Sequence, residues 1–123
     1  MKFAIAALAA IASAKPEEDR VTSLPGMGNF DKYGAFSGML DIADTSKELH
    51  YLFFEAQEDA ENAPVLIWFN GGPGCSSMLG FMQENGPFRI ESGGTPFHES
   101  EFSWNKETNL LYIEQPAGVG FSY

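Results

Sequence analysis

The stretch WFNGGPGCSS, residues 68–77, decides how this 123-residue chain is interpreted. It continues an apolar run at residues 65–69 that has the length of a β-strand and no polar alternation. Such runs are typical of strands covered on both faces, as in the parallel part of an α/β sheet. Residues 76–84 carry apolar side chains at helical spacing, with Ser76 or Ser77 placed to cap the first turn. The sequence therefore predicts a strand, a glycine loop (residues 70–77) and a helix in succession.

Backbone N–H groups of such a loop, backed by the positive end of a helix, favour an anion. Phosphate is disfavoured, because the loop lacks a Gly-Lys-Ser/Thr ending and a G-x-G-x-x-G pattern, and no lysine or arginine lies between Lys47 and Arg89. The other anion is the oxyanion of acyl transfer, which many hydrolases bind with amides of a Gly-Gly loop. A turn that uses glycine only for its positive φ is the structural alternative for the four residues GGPG.

The flanking segments extend this prediction to a fold class. Residues 35–42 and 48–55 alternate apolar and polar side chains, and they are predicted to form an antiparallel hairpin. Residues 109–115 form a second apolar strand, and residues 88–90 and 102–104 are predicted to be short extended pieces. We expect an α/β fold in which the hairpin is followed by parallel core strands and a crossover helix. The sheet is expected to be incomplete and to leave unpaired edges.

The first 14 residues are predicted to be a secretory signal peptide. Lys2 supplies a positive start, residues 3–11 are apolar but too short to span a bilayer, and residues 12–14 form a small-residue cleavage pattern. A soluble N-terminal helix is the alternative. Residues 15–123 would then be one soluble unit in a lumen or outside the cell, without a membrane span.

The charge balance limits the classes of partner that the chain can bind. Asp and Glu number 17 against 7 Lys and Arg, which gives a formal net charge of −10. This argues against nucleic acid or anionic lipid as partners and fits work at acidic pH. Asp41 and Asp44 lack calcium-loop spacing and no Cys/His cluster occurs, so we expect no metal and no cofactor. The single Cys75 is either a buried free thiol or half of a disulfide whose partner lies outside this chain.

Ordered blocks covering nearly all of residues 15–123 resemble the serine carboxypeptidases of the α/β-hydrolase fold. Tyrosines are more frequent in that family at the block of residues 36–40. The blocks are LPG at 24–26, FSGML at 36–40, NGGPGCSS at 70–77 preceded by Trp68, ENGP at 84–87, FSWN at 102–105 and QPAGVGFSY at 115–123.

The resemblance implies roles for residues around the glycine loop. The Gly72 amide corresponds to one of two oxyanion-hole donors, and Asn70 and the Gly71 amide match positions that bind the C-terminal carboxylate of a peptide. Trp68 and Glu84 match members of the surrounding hydrogen-bond network. A substrate carboxylate beside a glutamate requires a shared proton, so acidic pH should favour the activity. By the same resemblance, Cys75 is a half-cystine whose partner lies far downstream.

The residues that would perform the chemistry are missing from the sequence. In this fold the nucleophile lies in a G-x-S-x-G turn and the triad follows in the order Ser, Asp, His, but no complete G-x-S-x-G occurs here. Ser122 lies in a block that the family uses as a loop, so a turn or packing role is expected for its hydroxyl. His50, in the second hairpin strand, and His98, in a polar loop, are interpreted as surface or hairpin histidines.

These observations predict the N-terminal portion of a serine-type carboxypeptidase, which removes C-terminal residues from peptides or proteins at acidic pH. The portion alone is expected to be inactive. Secretion or delivery to a lysosome or vacuole is expected. The alternatives are a non-catalytic secreted module that binds peptide C-termini through Asn70, Gly71 and Glu84, and an acyltransferase relative that uses the same site.

Overall fold

The computed structural model describes residues 16–26, 28–90 and 97–123, so the predicted signal peptide at residues 1–14 lies outside the described residues. In the described part, no helix has both the length and the apolar character needed to cross a membrane. The described strands, in chain order, are β1 (Ser23–Leu24), β2 (Gly28–Asn29), β3 (Ala35–Asp41), β4 (Glu48–Phe54), β5 (Val65–Trp68), β6 (Phe88–Ile90), β7 (Phe97–Glu99) and β8 (Asn109–Ile113).

Four strands form a mixed sheet in the order β3-β4-β8-β5. The predicted hairpin is confirmed: β3 and β4 are antiparallel, with Ala35 opposite Phe54. Strand β8 is antiparallel to β4, whereas β5 and β8 run parallel with Val65 opposite Asn109. The predicted α/β class, with a hairpin followed by parallel core strands, is therefore confirmed.

The crossover between β5 and β8 contains the glycine loop, a helical segment and the antiparallel pair β6–β7. The predicted helix at residues 76–84 is shorter than expected, and the structure forms a π-helix at Gly80–Glu84. Its defining bond runs from the Asn85 N–H to the Gly80 carbonyl at 3.0 Å. Ser76 accepts the Met78 N–H at 3.1 Å, as a capping residue does, whereas Ser77 binds elsewhere.

The hydrophobic core occupies both faces of the sheet, because side chains alternate along β4 and β8. On the face toward the helical segment, Phe54 stacks on Phe81 at 5.1 Å between ring centroids, and Tyr112 packs beside them. On the other face, Phe53 and Leu111 belong to a second buried cluster. Full burial of one such side chain contributes about 1.5–3 kcal/mol, so the hairpin and β8 are the stable centre of the described chain.

Strand β5 is less covered than its apolar sequence predicted. Val65 and Ile67 are 41% and 37% exposed, whereas Leu66 and Trp68 are half-buried against the core near the helical segment. The prediction of cover on both faces is wrong for this strand in the described structure. The physical reason is that β5 is the outer strand of the described sheet and packs on one face only.

Three local predictions can also be checked. Residues 88–90 are extended, as predicted, in β6. Residues 102–104 are not a strand, because Ser103 accepts the Asn105 N–H and begins a 3₁₀ turn at Trp104–Lys106. His98 lies in strand β7 and is exposed, rather than in a loop.

Candidate functional site

The glycine loop is closed by one serine at its end. Ser77 Oγ accepts the Asn70 N–H at 3.2 Å and donates to the Ile113 carbonyl at 2.6 Å. Ser77 therefore connects the two ends of the loop to each other and to the end of β8. Gly72 has φ of +137°, and a Cβ there would lie 3.1 Å from the amide nitrogens of Gly74 and Cys75. Only glycine fits this position without strain.

The loop presents its backbone to solvent. Residues 71–75 are exposed, and the peptide bond between Gly72 and Pro73 is cis. Gly71 and Gly72 therefore lie on a surface that a ligand can reach. Cys75 is exposed, so the prediction of a buried free thiol is wrong, while pairing with a cysteine outside this chain stays a prediction.

The Asn70 side chain has a defined orientation. Its Oδ1 accepts the Trp68 Nε1–H at 2.7 Å and the Gly80 N–H at 3.1 Å. Because both partners can only donate, the oxygen must face them and the amide NH₂ must face away. The NH₂ lies 3.4 Å from Glu84 Oε1. The structure thus brings together Trp68, Asn70 and Glu84, and it presents the asparagine as a hydrogen-bond donor.

Gly80 is a member of this Asn70 network (Trp68, Asn70, Gly80 and Glu84) that the sequence did not reveal. A Cβ on Gly80 would overlap the Trp68 Nε1 atom and lie 2.9 Å from Asn70 Oδ1. A side chain at this position would therefore displace the two groups that orient the asparagine. The available sequence signal was a lone glycine in a helical segment, which has no obvious local reason.

A tryptophan and a tyrosine lie next to this network. The Trp68 ring meets the Trp104 ring edge-to-face at 5.8 Å between centroids. Tyr112 donates its hydroxyl to Asn85 Oδ1 at 2.9 Å, next to Glu84 in the chain. Burial raises the pKa of Tyr112 above its ordinary value, and the negative charge of Glu84 raises it further. Tyr112 therefore remains a neutral donor throughout the range of biological pH.

A second carboxylate, missed by sequence reasoning, lies at the other end of the loop. Glu114 is fully buried and accepts hydrogen bonds from the Ser76 hydroxyl and from the Phe121 N–H at 2.8 Å. His50 Nδ1 lies 3.0 Å from the same carboxylate, and its Nε2 lies 2.9 Å from Ser37 Oγ. We call these five residues the Glu114 network. A glutamate at the end of an apolar strand was the signal that pointed to it.

The remaining candidates are structural. Ser122 is buried, donates to the Glu114 carbonyl at 2.7 Å and accepts the His50 N–H at 2.8 Å, which matches the expected turn role. His50 is a hairpin histidine, but it is buried rather than on the surface. In the described part of the chain, no group of three His, Cys, Asp or Glu residues is arranged to hold a metal ion.

Comparison with known proteins identifies the family. The family model described as serine carboxypeptidase matches residues 25–123. The lysosomal protective protein of Mus musculus is 47% identical over 110 residues, which are 89% of this chain and 23% of that protein. P-(S)-hydroxymandelonitrile lyase of Sorghum bicolor is also 47% identical over 110 residues, covering 87% of this chain and 22% of that protein.

A solved structure agrees with the sequence matches. The prohormone-processing carboxypeptidase Kex1(delta)p from Saccharomyces cerevisiae superposes with a TM-score of 0.65 at 32% identity, covering 85% of this chain and 25% of that chain. The chain thus spans about a quarter of the length of these relatives. The match extends over the hairpin, the glycine loop and β8, and the chain belongs to the serine carboxypeptidase family.

Proposed function

We propose that the protein containing this chain is a serine-type carboxypeptidase that releases C-terminal residues from peptides or proteins at acidic pH. The single observation that carries the proposal is the fixed Asn70 amide, whose NH₂ faces away from its two donors and toward Glu84. A fixed donor beside exposed backbone amides is suited to a carboxylate ligand.

The proposed binding site consists of Trp68, Asn70, Gly71 and Glu84. The Asn70 NH₂ and the Gly71 N–H donate to the free carboxylate of the substrate, and Trp68 keeps the asparagine in place. Glu84 is exposed and stands beside the bound carboxylate. Two ionised carboxylates in contact repel each other, so binding requires a proton between them. Acidic pH supplies that proton, which agrees with the net charge of −10.

The proposed catalytic contribution is the Gly72 amide. Its N–H lies in an exposed loop and would stabilise the oxyanion that forms when the nucleophile attacks the scissile carbonyl. No G-x-S-x-G sequence occurs in the 123 residues, so the nucleophile and its partners would come from elsewhere in the protein. We therefore propose that residues 15–123 alone do not catalyse peptide hydrolysis.

The location of the protein is also proposed. Residues 1–14 have the pattern of a secretory signal peptide, and one relative is named a lysosomal protective protein. We propose entry into the secretory pathway, followed by secretion or delivery to a lysosome or vacuole. Cys75 would then pair with a downstream cysteine in an oxidising compartment.

The test is a peptidase assay of the intact protein that contains this chain, with N-blocked dipeptides measured between pH 4 and pH 7. The same dipeptides with an amidated C-terminus are the matched control substrates. We expect release of the C-terminal residue only from the free-carboxylate peptides, and faster at pH 4 than at pH 7. Equal cleavage of the amides would contradict the proposed carboxylate site. Tight binding of free-carboxylate peptides without cleavage would instead support the non-catalytic module.

A further inference from the structure

The fully buried Glu114 takes no part in the proposed carboxylate site, yet it is closely surrounded by donors. Its side chain accepts hydrogen bonds from Ser76, at the end of the glycine loop, and from the Phe121 N–H in the turn after β8. The third contact is His50 Nδ1, from the hairpin. Burying a carboxylate costs several kcal/mol unless such partners compensate for the lost water. The Glu114 network is therefore a specific arrangement of three chain segments around one charge.

The atoms of the network also have defined roles. An ionised carboxylate only accepts, so the His50 Nδ1–H donates to Glu114, and the other ring nitrogen, Nε2, lies 2.9 Å from the Ser37 hydroxyl. Gly120 closes the site, because a Cβ there would overlap the Glu114 carboxylate. His50 of the hairpin and Gly120 of the turn after β8 thus fix the position of the carboxylate together.

Glu114 is joined to the glycine loop at two consecutive positions. Ser76 binds the Glu114 side chain, and Ser77 binds the carbonyl of the preceding residue, Ile113. Ser77 also accepts the Asn70 N–H, which closes the loop. The far end of the loop is therefore held on the end of β8. The exposed Gly72 amide lies between this attachment and the Asn70 network.

We propose that Glu114 is a positioning residue, which holds the Ser76 end of the glycine loop so that the Gly72 amide keeps its place. The inference rests on the proposed function in one respect, which is that the Gly72 amide stabilises the oxyanion. Glu114 touches no substrate, and it acts through Ser76. The Asn70 side chain is oriented separately by Trp68 and Gly80. Loss of Glu114 should therefore reduce oxyanion stabilisation while leaving carboxylate binding nearly unchanged.

The first test needs no activity. Amide hydrogen–deuterium exchange of the intact protein, followed by mass spectrometry, would report on peptides that cover the glycine loop. Glu114→Gln and Ser76→Ala should each accelerate exchange of the hydrogen-bonded Asn70 amide in those peptides about tenfold, because the first weakens the Ser76–Glu114 bond by removing the charge and the second removes the bond. Ser37→Ala removes a hydroxyl of the same network that does not touch the loop. It is the matched control and should leave loop exchange within about twofold of the wild type.

A double-variant cycle separates the proposed bond from the contact of Ser76 with the Met78 N–H. If both substitutions act through the Ser76–Glu114 bond, the double variant exchanges no more than about twofold faster than the more affected single variant. If the effects multiply, the two residues act independently and the inference is wrong. Unchanged loop exchange in Ser76→Ala would also overturn it. These exchange measurements test the role of Glu114 whether or not the protein is a peptidase.

The second test measures KM and kcat separately. Active sites are counted by titration, so that unfolded protein does not lower the kcat that is calculated. Ser76→Ala and Glu114→Gln should lower kcat about tenfold and change KM by less than about twofold, because a displaced oxyanion donor acts in the transition state. Unaltered kcat together with faster loop exchange would overturn the catalytic part of the inference. Wild-type protein without any peptidase activity would refute the proposed function, and the exchange result would still decide whether Glu114 holds the loop.

Discussion

Two glutamates stand at opposite ends of the glycine loop, and their surroundings differ almost completely. Glu84 is exposed, and its described side-chain contact with Asn70 is 3.4 Å long. Glu114 has no exposed surface and is surrounded by three donors from three segments. The exposed carboxylate retains its hydration and is available to a ligand, whereas the buried one depends on its protein partners. Under the proposed function, one residue type would serve ligand binding at one end of the loop and support of the loop at the other.

The largest effect is expected from removal of the buried charge. Glu114→Ala leaves the Ser76 hydroxyl, the Phe121 N–H and the His50 Nδ1–H without their acceptor. The free energy of unfolding of the intact protein should fall by about 3–5 kcal/mol, the usual result of breaking a buried pair. Urea denaturation measures it. Glu84→Ala is the matched control and should change stability by less than about 0.5 kcal/mol. Similar losses for both variants would remove the distinction between the two glutamates.

The next effect is expected at the ligand side of the loop. Asn70→Ala removes the oriented NH₂ and should weaken binding of the substrate carboxylate by about 1–3 kcal/mol, a 5- to 150-fold rise in KM. Kinetics with free-carboxylate peptides measure it. Asn62→Ala, which changes an exposed loop asparagine paired with Asp59, is the control and should leave KM unchanged. An unaltered KM in Asn70→Ala would show that the carboxylate binds elsewhere.

A smaller effect of the same kind is expected from Gly80→Ala. The added Cβ would push against the Trp68 indole nitrogen and Asn70 Oδ1, so the asparagine loses its orientation. KM should rise about tenfold, because one hydrogen bond to a charged group is weakened rather than removed. If the methyl group acts only through Asn70, adding it to Asn70→Ala should change KM by less than about twofold. A multiplied effect in the double variant would instead indicate a separate role for Gly80.

The comparison also shows what could be predicted from sequence. The hairpin and the parallel pair β5–β8 follow from local patterns, and the proximity of Trp68, Asn70 and Glu84 follows from the resemblance to the family. The Glu114 network could not be predicted in this way. His50 and Glu114 are 64 residues apart in the chain, and the contact depends on the register of β4 against β8.

Other features were missed because they depend on packing rather than on composition. An apolar run such as residues 65–68 reports on hydrophobicity but not on which face a neighbouring element covers, so the exposure of Val65 and Ile67 was not predicted. The need for glycine at position 80 results from two side chains that approach from β5 and the loop. Pattern reasoning gives strands and motifs, whereas tertiary contacts select the residues that orient them.

The smallest effect is expected from neutralising the exposed glutamate. Glu84→Gln keeps the size of the side chain and removes the negative charge beside the proposed ligand carboxylate. Between pH 5 and pH 7, KM of the wild type should rise as the shared proton is lost and two carboxylates repel, whereas KM of the variant should stay nearly constant. At about 1 kcal/mol for two charges 4 Å apart in water, the wild-type change is roughly fivefold. A pH series of KM measures it, with Glu58→Gln in the acidic loop as the control. If the variant retains the full pH dependence, Glu84 does not face the substrate carboxylate, and the two ends of the glycine loop differ in burial but not in function.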